Sequence, residues 1–313
     1  MINRALLRVK IIQILYSHYK GDGKSLPLAE KGLFFSLEKT YDLYYHLLQL
    51  SVDITRYASE RIEARRNKLR PTEEDLNPNT RFIDNSYIKQ LSENEQLNDF
   101  LKKRKLSWVN YPELIKNLYE EIVASGFYAE YINAGTINYE SDKDIWRKIY
   151  KKIFLNNEEL DESIEEQSIF WIDDIEVVIS FIVKTIKRFE FENGSEQELL
   201  PMFRDEDDKN FATKLLKSTL ENEEEYLKII DRHTRNWDLD RIAFMDILIM
   251  QTALAEICNF PTIPVNVTLN EYIEISKSYS TERSGIFING VLDNIVNQLK
   301  SENNLIKVVS FSK

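Results

Sequence analysis

The sequence predicts an all-α protein, and three observations lead to that prediction. Glycine and proline are scarce, with 8 and 7 residues in a chain of 313, whereas turn-rich β-sandwiches and phosphate-binding α/β folds use both heavily. Apolar residues recur at the three- and four-residue spacing of amphipathic helices in most segments. Other segments, such as residues 241–257, are apolar on almost every side, which is typical of helices buried in a core.

The composition limits the class and the setting of the protein. With 43% hydrophobic residues, 313 residues are enough to bury the core of one large or two ordinary domains. No apolar run is long enough to predict a membrane span, and the N-terminus lacks the apolar run of a signal peptide. The single cysteine, Cys258, excludes an internal disulfide framework and fits a reducing compartment. We therefore expect a cytoplasmic protein.

Residues 2–19 are predicted to form a helix that is apolar around much of its circumference and therefore central in its domain. The whole chain carries a formal net charge of −11, and an acidic surface repels phosphates, which argues against a general nucleic-acid coat. The first 20 residues contain no acid, however, and their cations are Arg4, Arg8, Lys10 and Lys20. A small basic tip on an acidic body is still able to bind RNA.

The middle of the chain is predicted as a series of amphipathic helices. The first covers residues 26–63 and is dense in aromatic side chains. Pro71 and Asn77-Pro78-Asn79 predict an exposed loop over residues 69–86. Further helices are expected over residues 112–124, 143–155 and 164–188, and a linker over residues 192–208.

The C-terminal third is predicted to be largely helical. Helices are expected over residues 209–220, 223–234, 241–257, 268–279 and 286–299. Pro261 and Pro264 mark the end of the third of these. Thr268 followed by Glu271 has the spacing of a capping box, which predicts that the next helix begins there.

Several short motifs in this third occur in a recognisable order. They are Trp237-Asp-Leu-Asp-Arg-Ile, Glu256-Ile257, Pro264 to Glu271, Lys277-Ser278-Tyr279 and Phe287-Ile288-Asn289-Gly290-Val291-Leu292-Asp293. In this order and spacing they resemble the C-terminal half of the NusB family of transcription antitermination factors. The N-terminal pattern Arg4…Arg8…Gln13-Ile14-Leu15-Tyr16 is similar to the family's basic first helix. The ordered set carries the resemblance, since any one motif alone would be weak.

The resemblance implies a NusB-like helical bundle with a long helical insertion. Residues 1–20 and 205–300 would form a core that binds RNA and a partner protein. Residues 21–204 would be mostly helical insertion, and the division of residues 26–66 between insertion and core stays open. Residues 301–313 would form a C-terminal tail.

For the first helix, the resemblance implies contacts with RNA. Arg4 and Arg8 stand one helical turn apart, about 5–6 Å between Cβ atoms, so both are candidates to hold RNA. Lys10 is a weaker candidate because it lies about 200° around the helix from Arg8. Ala5 and Leu6 interrupt the arginine run that many family members carry here, which leaves fewer cations for RNA.

The start of the last helix is the second implied RNA contact, through Ser284, Phe287 and Asn289. An aromatic ring can stack on a base, and an amide offers both donors and acceptors to a base edge. The family often has a basic residue just before the phenylalanine, and here Arg283 would supply that charge. Gly290 is most simply a packing residue, because a helix glycine costs stability unless a close approach needs it.

The resemblance places Tyr16 and Asp246 on the surface that meets NusE, a ribosomal protein of the small subunit. A simpler explanation also fits Asp246, which lies in the first turns of a helix, where the helix dipole favours a carboxylate. Both interpretations stay open.

The function that the resemblance implies is antitermination: the protein would bind boxA RNA together with NusE and associate with elongating RNA polymerase. No cofactor or metal is expected, because no phosphate loop, nucleophile–base arrangement or zinc-ligand spacing is recognisable, and an enzyme is the least supported class. One alternative is a protein-interaction scaffold that has lost RNA binding, which the acidic balance and the interrupted arginine run favour. Another is a ribosomal RNA modification factor, since NusB-like domains also occur fused to methyltransferases.

Overall fold

A computed structural model describes residues 1–21, 25–136, 138–234 and 242–302 of the chain. The all-α prediction is confirmed, because 77% of the structure is helical. Among the described residues, the only β-type pairing is an isolated bridge between Ile2 and Phe203. Most of the motif that begins at Trp237, and the predicted tail from residue 303 onward, lie outside the described residues.

The described residues form helices throughout their length. In chain order these are α1 (Arg4–Lys20), α2 (Leu26–Arg66), α3 (Glu73–Leu76), α4 (Ser86–Ser92), α5 (Glu95–Arg104), α6 (Pro112–Ala124), α7 (Gly126–Asn133), α8 (Tyr139–Ile149), α9 (Glu158–Gln167), α10 (Ile175–Arg188), α11 (Glu206–Glu221), α12 (Glu223–His233), α13 (Phe244–Asn259), α14 (Val265–Tyr279) and α15 (Ser284–Ser301). A π-helical segment, Tyr150–Phe154, continues α8, and 3-10 turns cover Ile169–Trp171 and Phe191–Glu196.

The chain divides into two compact units. Unit 1 contains Met1 and Glu38–Met202, and unit 2 contains Ile2–Leu37 and the described residues from Phe203 onward. The division falls within α2, so this long helix contributes residues to both units.

Unit 2 is built around α13. From Leu248 to Ile257 every residue of this helix is buried, as expected for a helix that is apolar on almost every side. Helices α1, α11, α12, α14 and α15 all pack against it. The apolar face of α1, including Leu7, Ile11 and Leu15, is fully buried, in keeping with the prediction of a central first helix.

The predicted start of α14 is wrong. The helix begins at Val265, directly after Pro264, and Thr268 lies inside it rather than at its cap. The Thr268 hydroxyl instead donates a hydrogen bond of 2.8 Å to Oε1 of Glu256 on α13. A buried carboxylate on a neighbouring helix therefore uses the threonine that the capping pattern assigned to the backbone.

Unit 1 has a core rich in aromatic side chains, and Tyr44, Tyr87, Trp108, Trp146 and Tyr150 are completely buried. Backbone carbonyls satisfy several of their polar ends: Trp108 Nε1 donates to the carbonyl of His46 over 2.7 Å, and Tyr150 Oη donates to that of Leu47 over 2.7 Å. The Tyr87 hydroxyl and Trp146 Nε1 find no hydrogen-bond partner among the described residues, so the burial of large rings is the shared feature of this core.

The helix predictions in unit 1 are correct where residues such as proline mark a helix end. Helix α6 has the predicted bounds, with Pro112 at its first position. The single helix expected over residues 164–188 is wrong, because Ser168 adopts an extended backbone with φ −164° and ψ 120° and separates α9 from α10.

Candidate functional site

Arg4 lies at the start of α1 on the surface of unit 2. Its Nε is 3.3 Å from Oδ1 of Asp208 on α11, and its guanidinium carbon lies 5.0 Å from the centre of the Phe211 ring. The side chain of Arg4 is 36% exposed. Of the predicted cations of α1, Arg4 thus keeps partial access to an external phosphate, although a carboxylate already shares its charge.

The structure contradicts the prediction that Arg8 contacts RNA. The residue is only 3% exposed, and it forms a bidentate ion pair with Glu256 of α13, with Nε–Oε2 and Nη2–Oε1 distances of 2.7 and 2.8 Å. Its remaining nitrogen, Nη1, donates to Glu271 over 3.1 Å. All three guanidinium nitrogens are therefore used inside unit 2, and Arg8 is a structural residue rather than an RNA contact.

Additional hydrogen bonds to Glu256 offset the cost of removing this ion pair from water. The residue is completely buried, and besides the two Arg8 nitrogens its carboxylate accepts bonds from the hydroxyls of Thr268, over 2.8 Å, and Tyr272, over 3.2 Å. Burial alone would lower the pKa of Arg8, but the hydrogen bonds and charge of Glu256 raise it overall. A buried carboxylate with every lone pair occupied joins α1, α13 and α14.

The structure also contradicts the prediction that Lys10 contacts RNA. The residue is 2% exposed, so its ammonium does not reach solvent in this conformation. Its position, two residues after Arg8, points it away from that ion pair but still into the protein.

Ser284, at the start of α15, is also internal, with 2% exposure. Its hydroxyl donates to Oδ2 of Asp246 over 2.9 Å, and the Ser280 hydroxyl donates to Oδ1 of the same carboxylate over 2.5 Å. Asp246 itself is 5% exposed and lies in the first turn of α13. The prediction that Ser284 contacts RNA is therefore corrected: it and Asp246 join α13 to the start of α15.

Phe287 and Asn289 are half-buried and lie about 200° apart around α15, while the neighbouring Arg283 and Gly290 are exposed. Ile286, where the family often has a basic residue, is 82% exposed. No described carboxylate pairs with Arg283. Arg283, Phe287 and Gly290, spaced by four and three residues, therefore share one side of α15, and Asn289 flanks Gly290 from the other side.

Gly290 is not the packing residue that the sequence predicts. A Cβ built on it would meet nothing within 4 Å, and the residue is exposed in the middle of α15. Val291 and Leu292 beside it are buried and do pack. No contact within the described chain explains a glycine here, although glycine in a helix interior costs about 0.5–1 kcal/mol relative to alanine.

Tyr16, predicted to meet a protein partner, lies on α1 and is 42% exposed. Its ring packs edge-on against Phe244 of α13 with 5.8 Å between centroids, and the Lys20 ammonium lies 4.2 Å from the centre of the same Phe244 ring. We call Tyr16, Lys20 and Phe244 the aromatic patch. Asp246 is not part of it, because its carboxylate is turned toward the two serines.

Two further properties concern the described residues alone. None of their His, Cys, Asp and Glu side chains forms a group that could hold a metal ion. Among the helices of this part of the chain, none has the length and apolar character that a membrane crossing requires.

Comparisons with a family model and with individual known proteins point to the same family. The model of the NusB family matches residues 181–297. The transcription antitermination protein NusB of Salinibacter ruber is 36% identical over 132 residues, which cover 40% of this chain and 82% of that protein. The chain belongs to the NusB family. The NusB protein of Acetivibrio thermocellus is 34% identical over 119 residues, 36% of this chain and 82% of the relative.

A further NusB protein, from Geotalea daltonii, is 42% identical over 89 residues, which cover 28% of this chain and 61% of that relative. No solved structure matches the chain. The family model extends over most of the described part of unit 2 beyond Phe203 and over the end of unit 1. These NusB relatives therefore account for less than half of the chain.

Sequence reasoning did not find the roles of Glu256 and Phe244. A signal for Glu256 was present, because a lone acid in the apolar run Ala253-Leu254-Ala255-Glu256-Ile257 needs a buried cation. The acid-free helix α1 contains Arg8 to supply one. No comparable pattern marks Phe244, whose role depends on where α1 ends against α13.

Proposed function

We propose that unit 2 is the RNA- and partner-binding core of an antitermination factor. In this proposal it binds boxA-type RNA together with the small-subunit ribosomal protein NusE, and the complex associates with elongating RNA polymerase in the cytoplasm. The core comprises residues 1–20 and 205–300 with the N-terminal part of α2, and most of residues 38–202 is an insertion. The protein acts as an adaptor and not as an enzyme.

Gly290 is the observation that carries the proposal. An exposed helix-interior glycine with open space around it is disfavoured within the free chain, and it allows another molecule's backbone to approach α15 closely. Membership of a family of antitermination proteins supports RNA as that molecule.

The side chains around Gly290 suit single-stranded RNA. Phe287 offers a ring face for base stacking, and the Asn289 amide can donate to and accept from a base edge. Arg283 and the partly exposed Arg4 can hold phosphates without reading sequence. Because Arg8 and Lys10 are buried, few cations are available, and we expect a salt slope of roughly −1 to −2 for this site alone.

A weak RNA site requires a partner, and the aromatic patch is the proposed place for it. Aromatic residues and cations at a partly exposed surface are typical of protein interfaces. Tyr16 and Phe244 would contact the partner directly, whereas Asp246 would hold the start of α15 in position for RNA. A partner bound here would raise the apparent RNA affinity through the shared helix α13.

A second candidate function is a scaffold that keeps the partner surface but not the RNA site. The burial of Arg8 and Lys10 and the pairing of Arg4 with Asp208 favour it. The two functions differ in one measurable property, which is direct binding of boxA RNA.

The test is RNA binding by matched variants of the full chain. Phe287→Ala and Asn289→Ala should each weaken binding of a fluorescent boxA oligonucleotide by about five- to one-hundred-fold, the usual range for a lost stacked or base-reading contact. Asn297→Ala, the same substitution two turns further along α15, is the control and should bind as the unaltered protein does. Equal affinity of all three variants would overturn the proposed site.

A further inference from the structure

The end of α2 in unit 1 carries a cluster of cations. From Arg61 to Arg70 the chain carries five cations and one acid, Glu63. Arg61 and Lys68 are paired, with Glu120 at 3.1 Å and Asp75 at 3.0 Å. The remaining cations are exposed and form no ion pair with a described carboxylate; we call these residues, Arg65, Arg66 and Arg70, the basic tip.

Helix geometry explains only part of this composition. Cations near a helix C-terminus interact favourably with its dipole, which accounts for Arg65 and Arg66 in the last turn of α2. It does not account for Arg70, which lies beyond the helix. The electrostatics of α2 alone therefore leave part of the positive charge unexplained.

Directly beside the basic tip lies a cleft of about 510 Å³, which Arg61 and Arg65 line from α2. Its aromatic residues are Phe82, Tyr119 and Tyr128, with ring centroids 6.2 Å apart for Phe82–Tyr119 and 5.5 Å for Phe82–Tyr128. Phe82 is buried, and the two tyrosines are half-buried. The cleft thus has an apolar floor and aromatic walls, and Glu74 and Glu120 line it beside the two arginines.

The rim of the cleft already holds a guanidinium against a ring. The Cζ atom of Arg61 lies 5.6 Å from the centre of the Tyr119 ring. Arg65 stands one turn further along α2, on the same helix face, and lines the cleft without a carboxylate partner. Arg65 can therefore hold a phosphate while the aromatic walls of the same cleft contact a base.

We propose that unit 1 carries a second contact for single-stranded RNA. The basic tip holds phosphates, and one base stacks in the cleft on the aromatic wall formed by Tyr119 and Tyr128. This inference rests on the proposed function, because it takes RNA to be the ligand of unit 2. It supplies cations that α1, with Arg8 buried, does not.

RNA fits this surface better than a membrane or an acidic protein. Lipid binding needs a continuous apolar helix face, whereas the exposed apolar side chains near the basic tip, Leu69, Leu76 and Val123, lie on three different segments of the chain. An acidic protein would use the cations but would have no need of an aromatic cleft. Cations next to stacking rings are the combination that single-stranded nucleic acids require.

The experiment measures anisotropy of a fluorescent single-stranded RNA, boxA followed by a short flanking segment, at several salt concentrations. Arg65→Glu/Arg66→Glu/Arg70→Glu should weaken binding by at least about tenfold and reduce the salt slope by about 2, from three lost phosphate contacts. Tyr128→Ala should weaken binding by about five- to one-hundred-fold, whereas Tyr128→Phe, which keeps the ring, should change it little. Lys102→Glu/Lys184→Glu/Lys187→Glu, with the same charge change elsewhere in unit 1, is the control.

The outcomes separate this inference from the proposed function. If Asn289→Ala weakens binding and the basic-tip variant matches its lysine control, the second contact is overturned while the unit 2 site stands. If the basic-tip variant weakens binding and Asn289→Ala does not, the unit 2 site fails and the unit 1 contact stands. Binding of the basic tip to anionic vesicles with no effect on RNA would overturn the inference in favour of a membrane.

Discussion

Arg8 shows that a basic residue in a recognisable motif can serve the fold rather than the ligand. Its two-nitrogen contact with the buried Glu256 is a type of interaction whose loss leaves a charge without a partner in a low-dielectric environment. The same motif position on an exposed helix would have suggested phosphate binding. The difference is set by the packing of α1 against α13.

We predict that Arg8→Ala lowers the free energy of unfolding of unit 2 by about 3–5 kcal/mol, because it leaves the buried Glu256 carboxylate without a cation. Arg4→Ala, which removes a half-exposed ion pair, should cost at most about 1 kcal/mol. Urea denaturation followed by helical circular dichroism measures both. An Arg8→Ala protein as stable as the unaltered chain, with weaker RNA binding, would return Arg8 to the RNA site.

His46 in unit 1 provides a prediction about pH. Its ring is buried, stacks on Trp108 with centroids 3.9 Å apart, and lies 2.9 Å from Gln167 through Nε2. Burial lowers the pKa of His46 from 6.5 to about 4, although the Gln167 hydrogen bond acts in the opposite direction. The folded state therefore favours neutral His46, and stability is lost as pH falls from the unfolded-state value toward the folded one.

Between pH 7 and pH 5 this residue should cost unit 1 about 2 kcal/mol of unfolding free energy. Burial raises the pKa of Asp42 and of Asp53, and these carboxyls oppose the loss by binding protons in the folded state first. His46→Phe keeps a ring against Trp108 and should reduce the change of unfolding free energy between pH 7 and pH 5. Urea titrations at each pH, followed by tryptophan fluorescence, measure this free energy. The same pH dependence in both proteins would contradict the explanation.

At the scale of elements, α15 combines a packed inner face with an outer face on which Ile286 and Gly290 are exposed. Ile288, Leu292 and Ile295 are completely buried, which the spacing of apolar residues predicts. The outer face could not be assigned from periodicity, because an exposed glycine and a packed glycine look the same in a sequence. Only the open space around Gly290 distinguishes them.

Gly290→Ala should therefore have opposite effects on stability and on binding. The substitution should stabilise the protein by about 0.5–1 kcal/mol, since alanine is the better helix former and its Cβ meets nothing. RNA affinity should fall, because the methyl group occupies the approach to α15. Thermal denaturation and RNA anisotropy on the same sample test both, and a gain in stability with unchanged RNA affinity would contradict the role given to this helix.

Helix α14 illustrates the limit of local patterns. Thr268 and Glu271 satisfy the capping-box spacing, yet both side chains serve the buried network, through Glu256 and Arg8 respectively. The capping pattern predicts that the threonine hydroxyl bonds to the backbone of its own helix. In the structure it bonds to a buried carboxylate on another helix. That carboxylate is close in space but 12 residues away in sequence.

At the scale of the whole molecule, the fold class and most helices follow from composition and periodicity, while the division into units does not. The motifs resembling the family lie near both ends of the chain, and unit 2 likewise draws on both ends. The candidate site could be predicted only in part. Phe287, Asn289 and Tyr16 are accessible as expected, but the burial of Arg8, Lys10 and Ser284 depends on tertiary packing that no single segment reveals.

The central claim is that unit 2 binds boxA RNA weakly by itself and more tightly with a protein on its aromatic patch. The most direct test is the boxA dissociation constant of the full chain, measured by anisotropy with and without NusE. We predict measurable binding alone and tighter binding with NusE, with RNA raising the affinity for NusE by the same factor. Absence of boxA binding under both conditions would contradict the claim and favour the scaffold.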